Sequence, residues 1–396
     1  MAFVDYRELR KQIDAGEPRQ CCEFIREGFS KKWFDPKDFQ IRELAESTIG
    51  DGPMTGLNWV KDCDPRKPMG NEGMSLMEAG GGAGAVSTAA FTNIMGQIVY
   101  TRVIEAAENP AFIGDQLVEV IPTQFNGEKI PEVGGVGDDN LRVNEAGEYP
   151  LLGVDSAFIE TPETVKRGGI VPVTKEAIFF DRTNLVLQRA ATIGYYAGLN
   201  REKEIIKTVT GVDNSYKRNG TASDTYKTSG GHGIVNSNTA ALADWTDIDE
   251  ALLLFNNMTD FLTSEVIVVM PNTLLVPWAL RSTALNIVNG TEVRGGTSNT
   301  TNWQTIAPNP VPGIAGPLQV LSSPLVYAVT SETNDWWLGD FPRAFAYMEN
   351  WAIQNTSDDG GEQRFTRDIV ARFRVDWRGV AAVKDPHYVF QSTGGS

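Results

Sequence analysis

Few residues of this chain could do chemistry, and they stand far apart. Its two histidines are His232, in the loop "SGGHGIV", and His387, in "KDPHYVF" near the end. Neither has a His or Cys neighbour at the spacing that a zinc site needs. No Gly-x-Ser-x-Gly elbow marks a nucleophile. The sequence therefore predicts no metal, no cofactor and no catalytic residue, and it indicates that the protein is not an enzyme.

Two acidic pairs have the residue types of a general acid and base. They are Asp138-Asp139 and Asp358-Asp359, and both stand in glycine-rich turns. Turns favour aspartate because its side chain bonds to the nearby backbone, so turn chemistry explains these pairs better than catalysis does.

A glycine-rich run and a tryptophan pair each have a functional and a structural interpretation. The run "MEAGGGAGAVSTAAF" at 77–91 has neither the preceding strand of a dinucleotide loop nor the Gly-Lys-Ser/Thr of a P-loop. We interpret it as a hinge. Trp336 and Trp337 could stack on a sugar or a base, but core packing at a lobe junction is the favoured interpretation.

Composition limits the class of protein. A chain of 396 residues exceeds the usual single-domain size and predicts two or more lobes. The formal net charge of −16 disfavours nucleic-acid binding, which needs clustered Lys and Arg, and suits a soluble protein or a wall that does not adhere to DNA. Three cysteines, an odd number, fit a reducing cytoplasm. The start "MAFVDYRELRKQ" lacks the apolar segment of a signal peptide, and no apolar run approaches the ~20 residues that span a membrane, so neither a signal peptide nor a membrane span is expected.

The most informative pattern is the run "EQRFTRDIVARFRVDWRG" at 362–379. At period two, one face is mainly apolar and the other carries Arg372, Arg374, Asp376 and Arg378. This alternation predicts a long, half-buried strand whose charged face meets solvent or a neighbour.

The elements before that strand change from helical to extended and back. Residues 1–50 predict an arm of short helices. Residues 128–168 are polar, glycine-rich and extended, and they predict a protruding β-hairpin that gains its contacts from another subunit. An apolar row of period 3.6 predicts a helix of about seven turns at 184–210, closed by Gly211.

A compact α/β lobe is expected after that helix. Thr246 is the expected N-cap of its first helix. "EVIVVM" at 265–270 predicts a buried strand because its apolar run is continuous. "PNTLLVPWALRSTA" predicts a helix with Asn272 as its cap, and "LQVLSSPLV" at 318–326 predicts another strand.

The order of these elements resembles the major capsid proteins of tailed bacteriophages, which have the HK97-type fold. The resemblance covers about residues 88–391. It is carried by "TVKRGGIVPVTKEAIFFDRTNLVLQRAATIG", by "SEVIVVMPNTLLVPWALRS" and by "WWLGDFPRAFAYMENWAI…RFTRDIVARFRVDWRGVAAVKDPHYVF". No single motif is diagnostic, whereas the ordered combination is fairly specific.

The resemblance implies an α+β, HK97-like capsid fold with an N-terminal helical arm, an extended β-hairpin loop, a long spine helix, and peripheral and axial lobes. The implied parts are the arm and glycine-rich hinge (1–87), the segment that leads into the peripheral lobe (88–127), the extended loop (128–168), the peripheral lobe with the spine helix (169–244), the axial lobe (245–338) and the return to the peripheral lobe (339–396). The arm is expected to stay attached and to pack on neighbouring subunits.

The resemblance also implies a structural protein of the virion. Its copies would assemble in the bacterial host cytoplasm into hexamers and pentamers of an icosahedral shell around phage double-stranded DNA. Implied partners are other copies of the chain, a portal, scaffold or decoration proteins, and DNA bound without sequence specificity; no membrane is implied. The expected assembly contacts are Arg372, Arg374, Asp376 and Arg378.

One chemical modification and two alternatives to the capsid function remain open. Some relatives cross-link a loop lysine to an asparagine, and Lys129 and Lys166 are candidates here, although solvated surface lysines are the favoured interpretation. An encapsulin-like nanocompartment would use the same fold to enclose a cargo enzyme. A two-lobed soluble enzyme would need a pocket with convergent polar groups, and the sequence names none.

Overall fold

The computed structural model describes residues 83–131, 143, 157–174, 185–213, 216–229, 234–260, 265–295, 305–358 and 369–395, together with Glu27 and Lys31. These residues mix helices and sheets, so the predicted α+β class is confirmed. The chain divides into two compact units. The first unit contains Met1–Asn109, Lys166–Leu199 and Trp351–Trp377, and the second contains Pro110–Val165, Asn200–Asn350 and Arg378–Ser396.

The described elements follow one another in a mixed order. The helices are α1 (Ala83–Ala107), α2 (Gly114–Leu117), α3 (Leu185–Val209), α4 (Trp245–Asn256), α5 (Arg281–Asn289), α6 (Val311–Ile314), α7 (Pro324–Thr330) and α8 (Phe341–Ala344). The strands are β1 (Glu119–Pro122), β2 (Lys129–Pro131), β3 (Phe158–Glu160), β4 (Val165–Thr174), β5 (Lys217–Arg218), β6 (Thr221–Ala222), β7 (Ser237–Asn238), β8 (Thr273–Val276), β9 (Glu292–Gly295), β10 (Thr305–Pro308), β11 (Gln319–Ser322), β12 (Trp336–Gly339), β13 (Phe345–Asp358), β14 (Ile369–Val383) and β15 (Val389–Ser392).

Helix α3 confirms the long helix expected at 184–210 and has 25 residues. Gly211 follows it with φ of 76°, the left-handed conformation that commonly closes a helix. In the first unit, α3 approaches α1 closely at Gly194, where a Cβ atom would lie 2.2 Å from the carbonyl oxygen of Val103. Only a residue without a side chain allows the two helices to come this near.

The five-stranded sheet β11-β8-β12-β15-β7 has an apolar core on each face. Every residue of β12 is buried. Trp336 and Leu338 pack in one core with Leu274, whereas Trp337 packs in the other with Leu275. Successive side chains of a strand point to opposite faces, so β12 is shared by both cores. The interpretation of both tryptophans as core residues is confirmed.

The expected hairpin at 128–168 is confirmed at its base. Strands β2 and β3 pair antiparallel with Lys129 opposite Glu160, and they belong to the four-stranded sheet β2-β3-β5-β6. Residues 132–142 and 144–156 lie outside the described part of the chain. The last residues of the range, from Val165, already belong to β4.

The second four-stranded sheet has the order β1-β13-β14-β4 and contains the strand expected at 362–379. Strand β14 begins at Ile369 in the described chain and continues to Val383, four residues beyond the expected end. Strand β1 pairs parallel with β13, with Glu119 opposite Ala346. Strands β9 and β10 form a separate antiparallel pair.

The prediction of a buried strand at 265–270 was wrong. Among the described residues this segment makes one isolated bridge, between Val266 and Thr259. Val268 and Met270 are 78% and 68% exposed. A short apolar run shows from sequence alone neither its burial nor its conformation, and this one lies at the surface.

The prediction of a helix beginning after Pro271 was also wrong in its first half. Thr273–Val276 is strand β8, whose residues are all buried, and α5 begins only at Arg281. The residue before a proline is disfavoured in the α conformation, so Pro277 opposes a helix that includes Val276.

Two helix starts differ from expectation. Helix α1 begins at Ala83, inside the run interpreted as a hinge, because the alanine-rich part after the glycines favours helix. The cap of α4 is Asp244, not Thr246: the Asp244 carboxylate accepts the Thr246 N–H at 2.8 Å, and Asp247 completes a capping box.

The strand expected at 318–326 is shorter than predicted. Strand β11 ends at Ser322, and the Ser323 hydroxyl accepts the Leu325 N–H at 3.2 Å, which starts α7. The predicted arm at 1–50, apart from Glu27 and Lys31, and residues 77–82 of the predicted hinge lie outside the described chain.

Candidate functional site

The apolar face of strand β14 is buried as its alternation predicted. Phe373 and Val375 are 0% exposed, and Ile369 and Trp377 are 8% and 9% exposed. Strand β4 lies close beside it, because a Cβ atom on Gly168 would be 2.6 Å from the Val375 carbonyl oxygen. This burial fixes which face of the strand carries the charged residues.

Asp376 departs from the prediction that the charged face is exposed, because it is 3% exposed. Its carboxylate accepts hydrogen bonds from Trp351 Nε1 at 3.1 Å and from Gln354 Nε2 at 3.3 Å. Arg374 Nε donates to it at 3.2 Å. A carboxylate can be buried when charged and polar donors satisfy its oxygens, which is the case here.

Arg372 and Arg374 are the accessible members of this face. The Arg374 side chain is 51% exposed and also approaches Thr356 Oγ1 at 3.4 Å. Arg372 is 28% exposed and donates from Nε to Asp358 Oδ2 at 3.0 Å. Each guanidinium is held by an acidic side chain and keeps a solvent-facing side, so both can meet an acidic surface of another molecule.

Arg378 has a different environment from the other three and belongs to the second unit. Its Nε donates to Thr164 Oγ1 at 2.8 Å, and its Nη2 donates to Asn126 Oδ1 at 3.0 Å. Asn126 Oδ1 also accepts the Thr164 N–H at 3.0 Å. Arg378 therefore joins the two ends of the segment that contains the hairpin.

The candidate cross-linking lysines have surface environments. Lys129 Nζ lies 3.2 Å from Glu160 Oε1 and 4.2 Å from the Phe158 ring centre. Lys166 is exposed, and its Nζ lies 5.8 Å from the ring centre of Trp351. Sequence analysis did not connect Lys166 with strand β14, because the link through Trp351 and Asp376 joins residues that are far apart in the chain.

The remaining candidate reactive groups do not form a centre in the described chain. His387 is 4% exposed and shares a 2.5 Å contact with Asp385. His232, Asp138 and Asp139 lie outside the described residues. No group of three or more His, Cys, Asp or Glu that could hold a metal occurs among the residues described.

Glu202 is a buried carboxylate that sequence analysis missed. It is 3% exposed and accepts the Ile113 N–H at 2.8 Å and the Gly114 N–H at 2.8 Å. Burial raises its pKa, and the two backbone hydrogen bonds oppose that shift. In the charged run "NREKE" nothing distinguishes Glu202 from its less buried neighbours, so the sequence held no signal for its role in fixing the start of α2.

Comparison with known families decides the identity. A family model described as "Phage capsid protein" matches residues 159–391, which is more than half of the chain. The chain belongs to the phage capsid protein family. Membership assigns it a structural role in the shell of a virion. A search of curated proteins finds no match.

The chain is also similar to solved structures, which include a phage-related protein, a phage and a virus-like particle. A phage-related protein from Bordetella bronchiseptica RB50 is 12% identical, with 74% of this chain and 96% of that chain covered and a TM-score of 0.44. The Mycobacterium phage Ogopogo structure is 14% identical, with coverages of 72% and 93% and a TM-score of 0.42. The virus-like particle from Pyrococcus furiosus is 11% identical, with coverages of 74% and 97% and a TM-score of 0.39. At these scores the likenesses carry no functional argument.

Among the described residues of the chain, no helix is both long and apolar enough to cross a bilayer.

Proposed function

We propose that this chain is an HK97-type major capsid protein whose copies form the hexamers and pentamers of an icosahedral shell around phage double-stranded DNA. The observation that carries the proposal is the capsid family match over residues 159–391. The acidic chain, with its net charge of −16, suits a wall that repels DNA and leaves it mobile. Contact with DNA is therefore without sequence specificity.

The architecture of the proposal assigns a role to each part of the chain. Residues 128–168 are the extended loop that lies over a neighbouring subunit, and its antiparallel base supports this role. Helix α3 is the spine. Residues 1–87 are an arm that packs on neighbours, 245–338 form the axial lobe, and 88–127, 169–244 and 339–396 form the peripheral lobe.

The four charged residues of β14 serve assembly in two ways. Arg372 and Arg374 make the contacts with a neighbouring copy, which their exposure supports. Asp376 and Arg378 hold the surrounding structure, because each is engaged by several partners within its own unit. Individually such exposed charges contribute about 0–1 kcal/mol. A closed shell multiplies weak contacts, so each can remain reversible while the whole is stable.

The remaining partners follow from the same proposal. A portal occupies one vertex, and scaffold or decoration proteins join the shell. Assembly takes place in the cytoplasm of the bacterial host, with the virion as the final location.

Electron microscopy of the protein expressed alone and with a scaffold partner supplied tests the proposal. The expected result is uniform closed shells of hexamers and pentamers, and shells from infected cells should contain DNA. Shells filled with protein cargo would favour the encapsulin-like alternative. Small discrete oligomers that persist at high concentration with the scaffold present would overturn the shell function and reopen the search for an enzymatic pocket.

A further inference from the structure

The charges of the chain are divided unevenly between the two units. The first unit has 22 Lys or Arg and 24 Asp or Glu, so it is nearly neutral. The second unit has 13 Lys or Arg and 27 Asp or Glu, so it is strongly acidic. An acidic surface of one copy is attracted to a local group of exposed cations on another copy.

Three accessible cations of the first unit lie on the neighbouring strands β4 and β14, and we call Lys166, Arg372 and Arg374 the basic face. A chain of contacts joins two of them: Lys166 lies over the Trp351 ring, Trp351 donates to Asp376, and Asp376 accepts from Arg374. Asp376 is buried, and the exposed Asp358 pairs with Arg372, so Lys166 and Arg374 supply the outward positive charge of this face. Ile170, on the same strand as Lys166, is 61% exposed and adds an apolar component.

The strongest acidic feature of the second unit includes helix α4. No Lys or Arg occurs between Lys227 and Arg281, whereas this stretch carries six Asp or Glu. Within α4, Asp249 and Glu250 lie four and three residues before Leu253, which places all three on one side of the helix. Leu253 is 59% exposed and Glu250 is exposed. These three residues define the acidic face.

We propose that the basic face of one copy docks on the acidic face of a second copy. This inference rests on the proposed shell function, and it names the partner surface for Arg372 and Arg374. Both faces combine charge with one exposed aliphatic side chain, so they match in chemistry as well as in sign. The contact is heterologous, because two different surfaces meet, and repetition of such a contact generates rings that close when the geometry allows.

The size of the two faces also favours repeated copies over a stable pair. A stable two-protein complex buries about 800 Å² on each partner. Each face has only three or four residues, far fewer than the roughly 20–30 residues that each partner contributes to such a complex. A contact of this size holds when many copies repeat it, and its charges make it sensitive to salt at the ~10 Å scale of screening in about 0.1 M salt.

The test reverses one charge on each face and then combines the two changes. The variants are Lys166→Glu, Glu250→Lys and the double variant Lys166→Glu/Glu250→Lys. Matched controls are Lys203→Glu and Glu108→Lys, which make the same charge changes at exposed positions outside both faces and outside the extended loop. Far-UV circular dichroism and urea unfolding confirm that each variant is folded. Light scattering and sedimentation velocity give the protein concentration at half assembly.

The expected result is a rise in the half-assembly concentration of about tenfold or more for each single variant on a face. The double variant should return to within about threefold of the wild type, and the controls should match the wild type. High salt should reduce these differences. Single variants that assemble like the wild type, or a double variant no better than the worse single one, would overturn the inference.

Two further outcomes separate this inference from the proposed function. If the wild type forms only small oligomers, the shell function fails, and the same charge rescue measured on those oligomers still decides whether the two faces meet. If Lys166→Glu weakens binding to a double-stranded DNA oligomer while Glu250→Lys leaves assembly unchanged, the basic face contacts nucleic acid and the inference is overturned.

Discussion

Different interactions hold strands β12 and β14 in place. Every residue of β12 is buried, and its alternate side chains enter two separate apolar cores. From Ile369 to Trp377, β14 buries one face and presents arginines on the other. On β12, the volume and shape of apolar side chains determine the packing. On the charged face of β14, the hydrogen bonds to the buried carboxylate of Asp376 determine the arrangement.

Removal of a large side chain from β12 should cause the largest loss of folding stability. Trp336 is 0% exposed, and its Nε1 donates to the Ala240 carbonyl at 3.0 Å. Trp336→Ala should lower the free energy of unfolding by about 3–5 kcal/mol, because the cavity cannot collapse fully. Urea unfolding of the unassembled protein measures it. Trp336→Phe, which keeps most of the apolar volume, should lose less, and an alanine variant within about 1 kcal/mol of wild type would contradict the shared-core description.

A buried carboxyl directly before β12 should make stability depend on pH. Burial, with a smaller contribution from Glu332, raises the pKa of Asp335 from 3.8 to about 6. The unfolded carboxyl therefore ionises first as pH rises, so the contribution of Asp335 to stability is greatest below pH 3.8 and falls as the pH rises toward about 6.

Asp335→Asn removes this dependence. The variant should be more stable than wild type at neutral pH by up to about 3 kcal/mol, with little difference at about pH 4. Urea unfolding across this pH range is the measurement. Glu332→Gln should reproduce only a small part of the gain. Parallel pH profiles for Asp335→Asn and wild type would show that the carboxyl is not destabilised by burial.

Replacement of the buried Asp376 carboxylate of β14 should have an intermediate effect on folding stability. Asp376→Asn keeps the size of the side chain but weakens the hydrogen bonds from Trp351, Gln354 and Arg374, so stability should fall by about 1–2 kcal/mol. Asp358→Asn is the matched control, because Asp358 pairs with Arg372 at the surface, and it should cost about 0–1 kcal/mol. Equal effects in urea unfolding would mean that burial does not distinguish these two carboxylates.

Truncation of the accessible arginine should have the smallest effect on the unassembled chain. Arg374 is 51% exposed, so Arg374→Ala should change the free energy of unfolding by about 0–1 kcal/mol. The same variant should weaken assembly measured by light scattering. A large loss of stability without a loss of assembly would assign Arg374 to the fold instead of the interface.

Sequence periodicity predicted the elements whose pattern is long. Helix α3 was found within one residue at each end, because its apolar row repeats over the whole helix and Gly211 closes it. The apolar face of β14 was found because alternation has only one interpretation over that length. The same alternation predicted that Arg372 and Arg374 lie on the opposite face of the strand.

Short apolar runs and distant partners explain the failures. Residues 265–270 and strand β8 are both short and apolar, and only the tertiary structure shows that β8 alone is buried. The burial of Asp376 depends on Trp351 and Gln354 from another strand. The hydrogen bond from Arg378 to Asn126 spans 252 positions of the chain. No local pattern contains these relations.

The sharing of β12 between two cores has a consequence for hydrogen exchange. Trp337 and Leu338 are paired on both sides, with β15 and with β8. To expose their amides to solvent, both apolar layers that flank the strand must separate at once. We expect these amides to exchange only by global opening of the second unit, as its slowest-exchanging foldon. A subunit with such a centre can adjust its surface against successive neighbours while its interior keeps one arrangement.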